Sequence, residues 1–204
     1  MNVCTYFHTG LEFITGGAAN RRHVQAVAAP SAGSPTDRWG VVRMGHRALV
    51  ARQGPDGRYA LYYAHWGGAD LSLARRLADS PDPGGSPTQP ADPGISDDPL
   101  AVGVDRDELF ADHLDPLVHE ALFVVEDDVT AYRPLWFGPV DGGAVVGVDP
   151  WAACDDERVR AWFEGTRDAV ADLLATGAVT EDAAARCLRR RVRSWAADRE
   201  VLFP

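Results

Sequence analysis

The sequence predicts an α+β fold: an antiparallel sheet of about five strands with a C-terminal two-helix hairpin packed on one face. Three observations lead there. Short runs rich in Val, Leu and Tyr are separated by tight Gly, Pro and Asp turns, the pattern of strands joined as antiparallel neighbours. The C-terminal quarter instead places apolar residues at helical i, i+3, i+4 spacing, interrupted at Gly177. A chain of 204 residues, 46% hydrophobic and 25% charged, supports one core rather than two.

The first two strands are Arg47 to Gln53 and Arg58 to Trp66, joined by Gly54-Pro55-Asp56-Gly57. Pro55 presets φ for a type I turn, and Gly57 can take the left-handed conformation of a G1 bulge. That turn sets Gly54 opposite Arg58, Leu49 opposite Tyr63 and Arg47 opposite His65; a plain two-residue turn would instead pair His46 with His65. Asp70 to Ala78 reads as a short helix with Asp70 as its N-cap. Residues 79–99 hold six prolines, three glycines and five Asp with no Arg. Such a stretch cannot bury enough apolar surface to offset its ordering entropy, so a disordered loop is expected. Leu100 to Val104 is a candidate strand, followed by a helix from Asp105 to about Leu114, ended before Pro116.

Further strands are expected at Ala121 to Glu126, Thr130 to Phe137 and Ala144 to Val148. Asp149-Pro150 supplies N-cap and first helical position for a long helix that buries Val159, Trp162, Phe163, Val170, Leu173 and Leu174. A second helix starts at Thr180 and buries Ala184, Leu188, Val192 and Trp195.

The charged residues are unusual in kind. All 20 basic residues are Arg, and 22 of the 30 acids are Asp, for a net charge of −10. Short acidic stems without Lys suit a protein kept soluble in molar salt, where the Debye length is only ~3 Å and self-repulsion is screened. A halophilic cytoplasm is the leading reading; GC-rich codon bias is the alternative. The acidity is also uneven: residues 1–43 sum to +2 and 44–204 to −12. The first piece shows no sustained periodicity, whereas the chain enters a strand directly after Met44. Met44 is therefore expected to be the initiator and 1–43 a non-native extension, or else a disordered N-terminal tail.

The segments MGHRALVA, GRYALYYAHWGG, VHEALFVV and VTAYRPLWFG resemble an uncharacterised family of haloarchaeal proteins, a domain of unknown function that typically starts at this Met-Gly. The resemblance is clearest over about residues 44–137. It implies the host type and the late start, and it brings no activity and no catalytic residues.

Cys4, Cys154 and Cys187 form an odd set with no CxxC spacing, so neither a disulfide framework nor a zinc knuckle is expected. Helical rise puts Cys154 and Cys187 ~20 Å out of step across the hairpin, beyond bridging distance, so both are expected as free thiols. No apolar run reaches the ~18 residues a membrane span needs. No glycine-rich phosphate motif occurs, and no cofactor is expected.

Imidazole beside carboxylate could bind a metal or act as base and orienter. The candidate catalytic residues are thus His65, Asp112, His113 and His119, and the candidate metal ligands His113, His119 and Glu120. Pro116 lies between Asp112-His113 and His119-Glu120, so one helical face cannot present both histidines, and ordinary strand-end or surface histidines are the plainer reading. The cluster Arg186, Arg189, Arg190, Arg191 and Arg193 would suit phosphate or nucleic acid. Internal pairing of Asp172 with Arg186, Asp168 with Arg189 or Arg190, and Glu164 with Arg193 explains it without a ligand, so nucleic acid is not expected. The aromatics Trp66, Trp136, Trp151, Trp162, Trp195, Tyr59, Tyr62, Tyr63 and Tyr132 are plentiful enough to line a pocket but read first as core. Both faces of the first hairpin are apolar (Leu49, Leu61 and Tyr63 against Val50 and Tyr62), which suits a central position or a homodimer through the outer sheet face. The expectation is a soluble binding or interaction module, with a small His/Asp hydrolase, metal-dependent in one form, as the alternative.

Overall fold

A computed structural model describes residues 46–79, 94–152 and 154–204. The chain divides at Met44 into two units, 1–43 and 44–204, and every described residue belongs to the second. The extension expected at 1–43 and most of the loop expected at 79–99 lie outside the described residues. The end of that loop is held in place. Ser96 N donates to Tyr63 O at 2.8 Å, Ala64 bridges Ile95, and Ile95 is buried.

Among the described residues the architecture is α+β, with one mixed sheet of seven strands and four helices. The strands are β1 (Ala48–Gln53), β2 (Tyr59–Ala64), β3 (Ala101–Val104), β4 (Ala121–Val125), β5 (Val129–Trp136), β6 (Gly143–Val148) and β7 (Val201–Leu202), in the spatial order β3-β2-β1-β4-β5-β6-β7. The helices are α1 (Ser72–Ala78), α2 (Arg106–Glu108), α3 (Asp155–Ala175) and α4 (Glu181–Trp195), with a π-helical turn, Leu109–His113, continuing α2.

The expected wholly antiparallel sheet of about five strands is corrected in two places. β1 pairs with β4 in parallel, Ala48 beside Ala121 and Val50 beside Phe123. Tight turns determine only neighbours in sequence; β2 leaves one edge of β1 free, and the fully buried Ala-Leu-Phe-Val-Val run of β4 fills it. The two-residue β7, too short to leave a periodic signal, closes the other edge by pairing with β6.

The first hairpin has the register that its turn chemistry dictates. Leu49 is opposite Tyr63, Gly57 N donates to Gly54 O at 3.0 Å and Gly54 N to Arg58 O at 2.7 Å, and Gly57 sits at φ 78°. Helix starts are mixed. Asp105 forms a capping box with Glu108, and Thr180 Oγ1 accepts from Ala183 N at 3.3 Å. Asp70 is not the N-cap of α1: Leu71, at φ 57°, occupies that position. Asp149-Pro150 does not start α3 either; Asp149 Oδ1 accepts from Trp151 N at 2.8 Å, making a local turn, and α3 begins at Asp155.

Both sheet faces are covered. On one, Val50, Phe123, Phe137 and Val146 pack with α1, α3 and α4. On the other, Leu49, Leu61, Leu122 and Val124 meet Leu109, Phe110 and Leu114. The two apolar faces of the first hairpin thus reflect a central position within the chain, because Leu49 and Leu61 are each 1% exposed. Tyr59, Tyr62 and Tyr132 are core as expected, whereas Trp66 and Trp151 are exposed.

Candidate functional site

The surface on which chemistry-bearing side chains are left over is formed by α3 and α4, and it starts from how α3 is fixed. Arg133 sits in the apolar run of β5, and strand alternation turns it inward with Ala131 and Leu135. Its Nε and Nη2 donate to Asp156 Oδ1 and Oδ2, each at 2.6 Å. Nη1 donates to the carbonyls of Gly68, at 2.8 Å, and Glu120. One residue earlier, Asp155 accepts two bonds from Arg199, both at 2.7 Å, and one from Asp149 N at 3.0 Å. The first turn of α3 is thereby tied to the sheet and to the segment after α4, with carboxylates at the helix end that favours negative charge.

The Arg199 guanidinium, as hydrogen-bond donor, is the main reason the Asp155 carboxyl is held below its usual range. A depressed folded-state value contributes stability above the unfolded carboxylate value of about 3.9 and loses it as pH falls through the lower one. Asp155→Asn is therefore expected to be less stable than the wild type at neutral pH. The two unfolding curves should converge on acidification, and parallel curves would remove Asp155 from the acid limb.

Beyond its first turn, α3 buries Val159, Phe163 and Val170, and α4 buries Ala184, Leu188 and Val192. Trp162 and Trp195, expected to be buried, are half-buried and pack against the edge of the core. They stack on each other at the helix seam, centroids 4.5 Å apart and planes 11° apart. Beside them runs an open groove of about 690 Å³, lined by Trp162, Gly165, Ala169, Leu173, Cys187 and Arg191 among others. Leu173, expected in the core, is 48% exposed. Nothing lies within 4 Å of where a Cβ on Gly165 would stand, so the groove floor is open there.

The ion pairs expected within the helical hairpin do not form. Among the described residues no ion pair joins Glu164, Asp168 or Asp172 to an arginine of α4; Asp168 meets its neighbour Arg167 at 3.3 Å instead. Arg186, Arg189, Arg190, Arg191 and Arg193 are all exposed, with Arg189 and Arg193 placed over the Phe203 ring at 5.8 and 4.7 Å. The reason is rotation. At about 100° per residue, the stripe Glu164, Asp168, Asp172 is level with the arginines but turned outward, away from the seam that Trp162 faces. Cys187 is a free thiol, as expected. Cys154, expected as a second free thiol, is not free.

The histidines and acids singled out from the sequence are spread out. Asp112 is exposed, and His113 ends the π-helical turn. His65 is exposed with its ring edge-on to Tyr63, 4.7 Å between centroids. His119 Nδ1 accepts from Asp115 N at 3.1 Å, which places its proton on Nε2, and burial pushes its pKa down. It is a neutral ring closing the Asp115 turn. Glu120 meets His46, not His113 or His119: His46 Nδ1 lies 3.2 Å from Glu120 Oε2. That pair follows from the parallel β1–β4 pairing, which adjacent-strand reasoning does not reach. Among the described residues no three His, Cys, Asp or Glu side chains gather where they could hold a metal ion.

A second polar cluster, centred on an arginine, also escaped sequence reasoning. On the opposite sheet face Arg106 Nη2 donates to Tyr132 Oη at 2.7 Å and to Glu200 Oε2 at 3.1 Å, and Tyr132 Oη donates to Glu200 at 2.6 Å. Burial pushes the Tyr132 phenol well above its ordinary value, so it stays a hydrogen-bond donor that ties β5 to the C-terminal segment.

Among the described residues the chain is an α+β protein with a mixed seven-stranded sheet covered on both faces, and no acid of the stripe on α3 pairs with an arginine of α4. The chain belongs to the Family of unknown function (DUF6735), whose model matches residues 44–92 and 85–203. No curated protein and no solved structure matches the chain. Among the described residues no helix is long and apolar enough to cross a membrane.

Proposed function

We propose that this protein is a non-enzymatic interaction module that works through the outer surface of α3 and α4. The observation that carries this reading is the juxtaposition on that surface of an open apolar groove with acids on one helix and arginines on the other, none ion-paired between the helices among the described residues. Opposite charges left apart beside exposed Leu173 and the stacked Trp162 and Trp195 are what a macromolecular partner would complete. The acid-rich, lysine-free composition suits this work to the cytoplasm of a salt-loving cell, where screening leaves apolar contact as the main driving force.

The alternative, a hydrolase using His65, Asp112, His113 or His119, is supported less. His119 spends its Nδ1 on a backbone N–H, and Glu120 is engaged by His46. One preparation tests the choice: full-length chain purified in molar KCl, with metal content and hydrolysis of model esters and phosphoesters measured. A metal-free, inert protein is the expected result. Stoichiometric metal, or turnover that disappears in His119→Ala, overturns the reading.

A further inference from the structure

We propose that the partner of the α3–α4 surface is a second copy of this chain, related by a two-fold axis lying in the interface and parallel to the two helices. This deepens the interaction reading and rests on it.

The stacked Trp162–Trp195 pair fixes which residues of the antiparallel helices stand level. Glu164, Asp168 and Asp172 on α3 are then level with Arg193, Arg190 and Arg186 on α4, to within about 1.5 Å of rise. Each set of three recurs at i, i+3 or i+4 spacing, so each forms one exposed stripe, with Arg193 at the end of the basic one lying over the Phe203 ring. An acidic ridge and a basic ridge therefore lie side by side with the apolar groove between them. Turned outward, they cannot neutralise each other within one chain.

A two-fold axis along the groove brings α3 of one protomer over α4 of the other without changing height. Every level acid–arginine pair that the single chain leaves open is then made twice across the dyad, and the two grooves face each other with their tryptophans, Leu173 and Arg191 along the axis, the two Arg191 being a like-charge contact that the level acid–arginine pairs must outweigh. An isologous contact requires a self-complementary patch, and this patch is one about that axis. The perpendicular in-plane axis would set acid on acid and arginine on arginine, which charge disfavours. On α3 itself Arg158 lies toward the N-terminal end, past the level of Arg193, and Arg167 meets Asp168 at 3.3 Å, so Asp168 is the acid of the stripe with a local partner. Gly165 leaves open space on the groove floor, where a partner side chain can enter.

Sedimentation equilibrium on the full chain tests the proposal, in molar KCl and at the lowest KCl in which it stays folded. The expected mass is twice the 22.0 kDa of the chain. Replacing the basic stripe (R186E, R190E, R193E) or the acidic one (E164R, D168R, D172R) is expected to weaken association by at least about tenfold at the lower salt, given the worth of several exposed ion pairs. All six changes in one chain should restore self-association while abolishing pairing with the wild-type chain, which separates lost complementarity from lost folding. A monomer at every concentration overturns the proposal, whether the groove is then covered by residues 1–43 or by a different protein. A dimer unmoved by either stripe also overturns it, while leaving the interaction reading in place. Hydrolytic turnover overturns that reading and is measured independently of mass.

Discussion

Arg133→Met destabilises the fold by about 3–5 kcal/mol, the loss typical of breaking a buried ion pair from one side. Arg133 is 2% exposed and uses the edges of its planar guanidinium for four bonds: two to Asp156 and two to backbone carbonyls. A methionine fills much of the volume but returns none of these bonds. Asp156, itself nearly buried, then keeps only Arg160, whose Nε lies 3.2 Å from Oδ2, and the carbonyls of Gly68 and Glu120 lose a donor. Against a total stability of ~5–15 kcal/mol, such a loss is visible as a lowered urea midpoint in KCl. The double variant Arg133→Met, Asp156→Leu should recover most of it, since the penalty lies in the stranded charge rather than in the missing pair. A single variant within about 1 kcal/mol of wild type would show the carboxylate to be neutral or solvated, contrary to the pairing described.

What could be read from the chain is what local chemistry decides. The Gly54-Pro55-Asp56-Gly57 turn dictated one register, and the structure has it because Gly57 can occupy φ 78° without a Cβ penalty. Thr180 and Asp105 cap their helices because their short oxygens reach N3. The failures are non-local or rotational. Nothing near residue 121 in sequence says that β4 will lie parallel to β1, so the His46–Glu120 contact could not be foreseen. Arg133 did carry a signal: a charged residue on the inward phase of an apolar strand needs a buried partner. Its partner Asp156 was obscured by the reading that began the long helix at Asp149. The candidate surface was half legible. Matching α3 and α4 by height alone paired residues that make no ion pair within the chain, because height leaves out which way a helical side chain points.

Phe137→Ala is expected to cost about 3–5 kcal/mol and to loosen α3 before the sheet. Phe137 follows β5 directly, is fully buried, and meets the Phe163 ring of α3 with centroids 6.0 Å apart. The ion pairs at Asp155 and Asp156 hold only the first turn of that helix; along its length, α3 is retained by apolar contacts that include this pair. Truncating Phe137 leaves a cavity that sheet backbone on one side and helix on the other cannot both relax into. Phe163→Ala should cost a similar amount, and the two together less than their sum, since each removes the other's partner. Amide exchange should show the α3 protons losing protection in Phe137→Ala while those of β4, which is buried on both faces, keep theirs. In the proposed dimer α3 presents Glu164, Asp168 and Asp172 in register with α4 of the second copy, so the same variant should weaken self-association without touching a surface residue. Full protection of α3 in a clearly destabilised variant would mean that helix and sheet unfold as one unit, and that the outer surface is as rigid as the core beneath it.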